Sequence, residues 1–212
     1  MCSACLQRFA APRPRCRLCA LPLPGQARAC GDCLKTPPPF AATVAAVDYA
    51  FPWNGLIASL KFRGGIEHAG ALAGLLAGAV CHSLATGGGV APDLIVPVPL
   101  APARLRQRGH NQAWELARRM ARQWRLPARA DAMARWQDTA PQMSLTRMQR
   151  LSNLRGAFVV TPQGRPGIAG RRVALVDDVM TTGATATEAA LTLLRGGASE
   201  VQVWVLARAS GG

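Results

Sequence analysis

Short apolar runs alternate along the chain with longer alanine-rich segments. Four runs have the length and composition of strands and lie at residues 43–49, 94–98, 172–178 and 201–206. Helical segments are predicted at residues 54–61, 67–84, 111–124 and 182–194. Strands that alternate with helices predict an α/β domain, in which helices flank a parallel sheet and the crossovers are right-handed.

Two segments interrupt this pattern. Residues 1–36 show little apolar periodicity and are followed by a stiff run of prolines at 37–39. We therefore predict a small N-terminal module at 1–36 and a larger domain at 40–212. Residues 136–157 are polar and arginine-rich, which predicts a long loop with one short helix.

The longest uncharged run covers residues 69–92 and consists mostly of alanine and glycine, which insert poorly into a bilayer. We expect a partly buried helix here and no membrane insertion, with Cys81 in the core. No apolar leader opens the chain, so a signal peptide is not predicted. The expected location is the cytoplasm, where thiols stay reduced.

Six of the seven cysteines form three Cys-x-x-Cys pairs near the start of the chain. Each pair offers two thiolates on one tight turn, and two pairs complete the tetrahedral site of a structural zinc ion. The preferred ligands are the first two pairs: Cys2, Cys5, Cys16 and Cys19. The third pair, Cys30 and Cys33, either replaces one of them or forms a partial second site, and redox chemistry is the competing interpretation.

The balance of charge is strongly basic. The chain has 25 lysine and arginine residues against 11 aspartate and glutamate residues, a formal net charge of +14. This charge indicates a polyanionic partner or anionic ligands, although a compositional preference for arginine is an equal alternative. Aromatic residues are sparse, so a surface of stacked rings for nucleic-acid bases is not predicted.

An acidic pair, Asp177 and Asp178, ends the third apolar run, and a threonine- and glycine-rich turn then opens a helix. Ligands of parallel sheets bind at the carboxyl ends of strands. The free N–H groups at a helix start bind phosphate. A capping box of Thr185 and Glu188 is the structural alternative. It does not explain the two carboxylates, whose repulsion is costly without a cation or a polyol beside them.

This stretch closely resembles the signature of type I phosphoribosyltransferases that binds 5-phosphoribosyl-1-pyrophosphate (PRPP). Over nearly the whole chain, in order, the sequence resembles the ComF family, which joins a zinc-ribbon-like module to an amidophosphoribosyltransferase-like domain and is linked to bacterial DNA uptake and use. The motifs are the cysteine-rich start, Cys30-Gly31-Asp32-Cys33-Leu34, Leu60-Lys61-Phe62-Arg63-Gly64, Val96-Pro97-Val98-Pro99, Arg108-Gly109-His110-Asn111-Gln112 and Asn153-Leu154-Arg155-Gly156-Ala157-Phe158.

The resemblance implies the type I phosphoribosyltransferase fold and displacement of pyrophosphate from PRPP with Mg²⁺, by an acceptor that the sequence does not identify. It assigns the ribose hydroxyls to Asp177 and Asp178, which are also catalytic candidates. The other PRPP-binding candidates are Val176, Thr181, Thr182, Gly183, Ala184 and Thr185.

Two further segments are candidates for contacts with the pyrophosphate. In type I phosphoribosyltransferases the loop after the second strand binds it, and guanidinium forks suit its oxygens. The candidates there are Arg104, Arg106, Arg108, Gly109, Asn111 and Gln112. Residues 138–153 resemble the catalytic loop of the fold, whose closure would bring Arg147 or Arg150 to the leaving group. A solvated basic loop and a short helix pinned to the core are the respective structural alternatives.

Two single residues add to this picture. Lys61 is one of two lysines in the chain, and its compact charge suits either a phosphate contact or an exposed position. His110 stands where the ComF resemblance leads us to expect an aromatic residue such as phenylalanine, and no nearby carboxylate in the sequence marks it as a general base.

Three functions therefore remain open from the sequence. They are a phosphoribosyltransferase, a PRPP-sensing protein without turnover, and a factor that binds single-stranded DNA through its positive charge. Competence or helicase proteins are the protein partners to expect.

Overall fold

The structure, a computed structural model, describes residues 2–25, 27–87, 89–136 and 156–209. The helices are α1 (Ser3–Phe9), α2 (Gly31–Lys35), α3 (Trp53–Leu60), α4 (Ala69–Gly87), α5 (Pro102–Arg108), α6 (Gln112–Trp124), α7 (Arg165–Ile168) and α8 (Ala184–Arg195), with a 3₁₀ helix at Arg63–His68. The strands are β1 (Ala42–Asp48), β2 (Leu94–Pro97), β3 (Met133–Arg135), β4 (Phe158–Val160), β5 (Arg172–Met180) and β6 (Glu200–Arg208).

Four strands form a parallel sheet in the order β1-β6-β5-β2. They correspond to the four predicted runs, and the predicted α/β class with a parallel sheet is confirmed. β5 is central, between β6 and β2, and pairs with β2 from Leu94↔Val173 to Pro97↔Val176. Because neighbouring strands run in the same direction, the carboxyl ends of β2 and β5 lie at the same edge of the sheet.

Alternate residues of β5 face two hydrophobic cores on opposite sides of the sheet. Val173 and Leu175 pack in the core covered by α8, whereas Ala174 and Val176 pack in the core covered by α3, α4 and α6. β6 alternates in the same way, and its Trp204 lies in the second core. Helices therefore cover the sheet on both faces.

Helix α4 is part of this packing. The segment Gly65–Gly87 is long and apolar enough to cross a membrane by length and composition. Its residues Leu72, Leu76 and Val80 are nevertheless buried in the second core, where α4 contacts β1, β6 and α6. This burial accounts for its apolar character. The prediction for Cys81 was wrong, because this cysteine falls outside the buried stripe and is exposed.

Two elements were missed by the sequence pattern. Helix α5 occupies part of the segment expected to be a loop after β2. β3 and β4 form a two-stranded antiparallel sheet, and each has only three residues, too few to show a period. Most of the segment predicted as a long loop, residues 137–155, lies outside the described residues.

The N-terminal residues pack directly on the sheet and its helices. Leu6 and Phe9 of α1 pack against the second core, and the carbonyl of Phe9 accepts a hydrogen bond from Nε1–H of Trp53 at 2.8 Å. Thr43 of β1 donates from its N–H to the carbonyl of Arg17 at 2.7 Å. The module thus shares the core of the domain.

Candidate functional site

The acidic pair lies near the carboxyl end of β5, and strand alternation places its side chains on opposite sides of the sheet. Asp177 lines a small cavity on the side of α8, together with Val98 and the threonine–glycine turn. Asp178 is on the side covered by α3, where its Oδ2 lies 3.5 Å from Nζ of Lys61. One carboxylate therefore faces the cavity and the other faces a cation.

Backbone groups orient both carboxylates. Oδ1 of Asp177 accepts a hydrogen bond from the N–H of Asp178 at 2.8 Å. Oδ1 of Asp178 accepts one from the N–H of Val179, also at 2.8 Å. These bonds fix the side chains without the help of a ligand.

The electrostatic cost of the pair falls on Asp177. Burial raises the pKa of Asp177 well above the usual value of a carboxyl group, and the negative charge of Asp178 raises it further. Lys61 opposes these two effects. A ligand that donates hydrogen bonds to the ionised Asp177 would relieve this cost.

The turn after β5 lets the backbone close tightly before α8. Gly183 precedes α8 with a φ of +81°, and a Cβ built there would lie 2.7 Å from Cε of Met180. A side chain at this position would be both strained and crowded. The first N–H groups of α8 have no partner within the helix, so the turn and the helix start together offer a site for an anion.

Glu188 does not cap this helix as the structural alternative required. It is buried, and its Oε1 accepts a hydrogen bond from the N–H of Gly156 at 2.8 Å. The start of α8 is therefore free of a carboxylate cap, and Thr182 Oγ1 is a distant acceptor for the N–H of Ala184 at 3.4 Å.

Lys61 is the residue that sequence reasoning left undecided. It follows the last residue of α3, is 28% exposed, and contacts Asp178 from the other side of the sheet. The exposed alternative is therefore incorrect. The one available signal was the rarity of lysine in a chain rich in arginine.

The three arginines expected in a loop after β2 lie on or at the end of α5 instead. Arg106 is exposed, and Arg108 donates from Nη1 to Oε1 of Gln112 at 3.2 Å. Gln112 is buried, and among the described residues its Nε2 has no hydrogen-bond partner. α5 lies beyond the carboxyl end of β2, at the same edge of the sheet as the acidic pair.

Two other candidates of this segment have structural contacts. Asn111 accepts from the N–H of Ala113 at 2.9 Å, which caps α6, and donates from Nδ2 to the carbonyl of Val98 at 3.0 Å. Gly109 ends α5 with a φ of +79°. Both residues therefore shape the segment that follows β2.

The remaining candidates divide into two groups. Val176 is fully buried in the second core, so its side chain is not available to a ligand. Arg147 and Arg150 lie in residues 137–155, outside the described residues.

The cysteines assemble in the alternative combination. The Sγ atoms of Cys16, Cys19, Cys30 and Cys33 all lie within 4.8 Å of one another. The preferred set, which included Cys2 and Cys5, is corrected by this geometry. Cys2 and Cys5 are exposed and lie at the start of α1.

The four-cysteine cluster fits a tetrahedral zinc ion. Zn–S bonds of about 2.3 Å place the sulfurs of a tetrahedron about 3.8 Å apart, and Sγ of Cys19 lies 3.6 Å from Sγ of Cys30. Burial raises the pKa of the Cys16 thiol, but the backbone N–H groups of Cys30, Cys19 and Leu18 outweigh it and lower this pKa to about 7. Burial raises the pKa of Cys33. A cation is therefore needed to hold all four as thiolates.

A buried arginine that sequence reasoning missed connects the cysteine cluster with the turn. Arg208 ends β6 and donates from Nε to the carbonyl of Cys19 at 2.7 Å. Its Nη1 donates to the carbonyl of Met180 at 3.0 Å and also to that of Thr181. The signal in the sequence was an arginine that closes a strand of otherwise largely apolar residues.

A second cavity, of about 640 Å³, lies away from the acidic pair, between residues 10–17, β1 and α4. Three arginines, Arg13, Arg15 and Arg17, are in its lining. Arg13 and Arg15 pair with Asp48 at 2.6 and 2.8 Å, and Arg17 is exposed. This cavity is basic and open to solvent.

Comparison with known proteins gives a consistent set of relatives. The chain is 39% identical to DNA utilization protein YhgH of Escherichia coli strain K12, over 98% of this chain and 90% of that protein. It is 37% identical to the protein of the same name in Salmonella typhimurium, with the same coverage. It is also 37% identical to competence protein F of Haemophilus influenzae, over 99% of this chain and 90% of that protein.

Two solved structures share part of the architecture. A glutamine PRPP amidotransferase from B. subtilis, complexed with ADP and GMP, aligns with a TM-score of 0.47 at 18% identity, over 70% of this chain and 30% of its own. A structure described as the allosteric regulatory enzyme of purine biosynthesis aligns with a TM-score of 0.40 at 20% identity, over 65% of this chain and 25% of its own. No protein-family model matches the chain. On the strength of its relatives, which it matches over nearly its whole length, the chain belongs to the ComF family of DNA utilization and competence proteins.

Proposed function

We propose that the protein is a phosphoribosyltransferase that binds PRPP at the carboxyl end of β5. The observation that carries this proposal is the cavity in which Asp177 meets the turn before α8. A ribose there would donate its hydroxyls to a carboxylate whose ionisation is costly without a partner. The 5′-phosphate would accept hydrogen bonds from the turn and the first N–H groups of α8.

The reaction would be displacement of pyrophosphate from C1 of the ribose. Its transition state has the character of an oxocarbenium ion, so the protein acts mainly by positioning groups and by stabilising the departing charge. The arginines of α5 are cations at the correct edge of the sheet for the pyrophosphate. Mg²⁺ prefers oxygen ligands and would neutralise charge on the diphosphate, with the carboxylates of Asp177 and Asp178 as protein donors.

We further propose that this activity serves the use of DNA in the cytoplasm. The names of the relatives refer to DNA utilization and competence. Competence or helicase proteins would be the partners. The four-cysteine cluster would hold a structural zinc ion, and reduced thiols suit that location.

The test is release of pyrophosphate from PRPP by the zinc-loaded protein with Mg²⁺, against a panel of bases and amines. The variant Asp177→Asn with Asp178→Asn is the matched control, because it retains the size of both side chains and removes their charge. Release by the native protein and none by the variant supports the proposal. Tight PRPP binding without release for any acceptor would indicate a PRPP sensor instead. Equal PRPP affinity in both proteins would refute the site.

A second candidate function, binding of single-stranded DNA, is favoured by the basic cavity beside β1. Its arginines, and the net charge of +14, would attract phosphates. Binding of a labelled oligonucleotide should then weaken steeply as salt rises, and Arg13→Gln with Arg17→Gln should reduce the slope by about two on a logarithmic plot. An affinity that is independent of salt would exclude this electrostatic binding.

A further inference from the structure

His110 lies between α5 and α6, and both ring nitrogens are close to backbone carbonyl groups. Nε2 lies 2.7 Å from the carbonyl oxygen of Leu60, the last residue of α3. Nδ1 lies 3.2 Å from the carbonyl oxygen of Arg108, the last residue of α5. The ring therefore joins the ends of two helices that are far apart in the chain.

The chemistry of the two contacts depends on the number of protons on the ring. Carbonyl oxygens only accept hydrogen bonds, so each contact needs an N–H group on His110. A neutral imidazole has one N–H group and a protonated imidazole has two. The neutral ring donates to one carbonyl, and the shorter distance favours Leu60, whereas the protonated ring donates to both.

The bond to Leu60 affects the acidic pair because Lys61 is the next residue. The Nζ atom of Lys61 reaches Asp178 across 3.5 Å, and its backbone position follows from where α3 ends. The phenylalanine that the ComF resemblance led us to expect in place of His110 would fill similar space without donating a hydrogen bond. This chain therefore has a polar link where an apolar contact was expected.

Charged groups around the ring come from several elements. The end of α3 contributes Lys61, α5 contributes Arg108, and β5 contributes Asp178 on the far side of Lys61. Glu115 in the first turn of α6 is engaged by two arginines of its own helix. The groups that receive the proton-bearing nitrogens are thus the two carbonyls and not a carboxylate.

We propose that His110 is a positioning residue that holds the end of α3, and with it Lys61, against α5, and that proton uptake by its ring tightens this junction. The proposed PRPP site enters only through the consequence, since PRPP affinity would then depend on the protonation of His110.

The junction can be tested without PRPP because the chain has only two lysines, Lys35 and Lys61. In the zinc-loaded full chain labelled with ¹³C-lysine, NMR resolves two side chains, which Lys35→Arg assigns. Histidine side chains change charge between about pH 5 and 8. We expect the Lys61 signal to shift with pH in this range and the exposed Lys35 signal to stay. In His110→Phe the Lys61 shift should disappear. A Lys61 signal that is insensitive to pH in the native protein, or that keeps its curve in the variant, overturns the proposal.

The consequence for the ligand is measured by calorimetry of PRPP with Mg²⁺ at pH 6 and pH 8. Because PRPP itself titrates, the quantity of interest is the affinity of the native protein divided by that of His110→Phe. One additional hydrogen bond corresponds to an increase of this ratio by about 2- to 10-fold at the lower pH. His110→Gln, whose amide can donate to Leu60 at either pH, should bind PRPP with the pH dependence of the phenylalanine variant.

The two experiments separate failure of this inference from failure of the proposed function. A ratio that is the same at both pH values shows that the junction does not regulate PRPP binding and overturns that part of the proposal. If none of the proteins binds PRPP, the proposed function and this consequence fail together, and the lysine spectra still decide whether His110 positions Lys61.

Discussion

The guanidinium of Arg208 donates a hydrogen bond to the carbonyl of Cys19 at 2.7 Å, so the end of β6 is tied to the cysteine cluster. The same side chain donates to the carbonyls of Met180 and Thr181, at the start of the turn that precedes α8. One buried side chain therefore connects the two sites inferred for zinc and for phosphate.

We predict that Arg208→Lys weakens both sites. A lysine retains the charge but lacks the planar fork that reaches carbonyls in different directions. Loss of bonds that contribute about 1.5–3 kcal/mol each should speed zinc release to a chelator and lower PRPP affinity by at least 10-fold. Arg172→Lys is the control, because Arg172 pairs with Asp93 at the amino end of β5. Equal behaviour of the two variants would show that the link carries no coupling.

The choice of zinc ligands predicts different metal contents for two double variants. Cys16→Ser with Cys19→Ser should abolish binding and lower the melting temperature, because two of four thiolates are lost. Cys2→Ser with Cys5→Ser should retain one zinc ion per chain. Elemental analysis of the purified proteins decides, and loss of zinc from the second variant would restore the ligand set that the sequence first suggested.

The pKa of Asp177 predicts that the site is a source of instability. Because its pKa is raised in the folded state, ionisation of Asp177 costs stability at pH values above that pKa. The cost declines as the pH falls toward the unfolded value of about 3.9 and is absent below it. Asp177→Asn should therefore raise the melting temperature at pH 8 by about 2–4 °C per kcal/mol relieved, and not at pH 3.5.

Calorimetric melting of the ligand-free protein at both pH values measures this effect. The same variant should lose PRPP affinity, which would place stability and binding in opposition at one residue. A variant that is less stable than the native protein at pH 8 would contradict the prediction.

Lys61 is expected to contribute to ligand affinity by neutralising Asp178. Lys61→Met removes the charge and retains the length of the side chain, which leaves the acidic pair without its cation. We expect PRPP affinity to fall by about 10- to 100-fold, the size of a lost charge contact of 1.4–2.8 kcal/mol. Lys35→Met, at the exposed end of α2, should leave the affinity unchanged, and a similar loss in both variants would indicate a general effect of charge.

Much of the fold was predictable because strand and helix periods are local. The runs that became β2, β5 and β6 are apolar at nearly every position, and burial between two helical layers explains this directly. The acidic pair was equally visible, since Asp177 and Asp178 interrupt such a run. Helix α5 was missed because its arginines gave no apolar face to the pattern.

The parts that could not be predicted depend on contacts between distant segments. The assembly of Cys30 and Cys33 with Cys16 depends on how the module folds back on itself, and the spacing of the pairs is the same for every choice. The same holds for Lys61, whose partner lies on another strand. Composition marked these residues as unusual without naming what they contact.

The short antiparallel sheet of β3 and β4 has a consequence for the evolution of the segment between them. Trp136 donates from its N–H to the carbonyl of Ala157 at 2.9 Å, and Gly156 is bonded to Glu188, so the chain leaves and re-enters the domain at one anchored gateway. Doubling the length of a loop closed in this way costs only about 0.6 kcal/mol. Homologues can therefore exchange this insert as a cassette, and chimeric proteins that swap it should fold while their choice of acceptor changes.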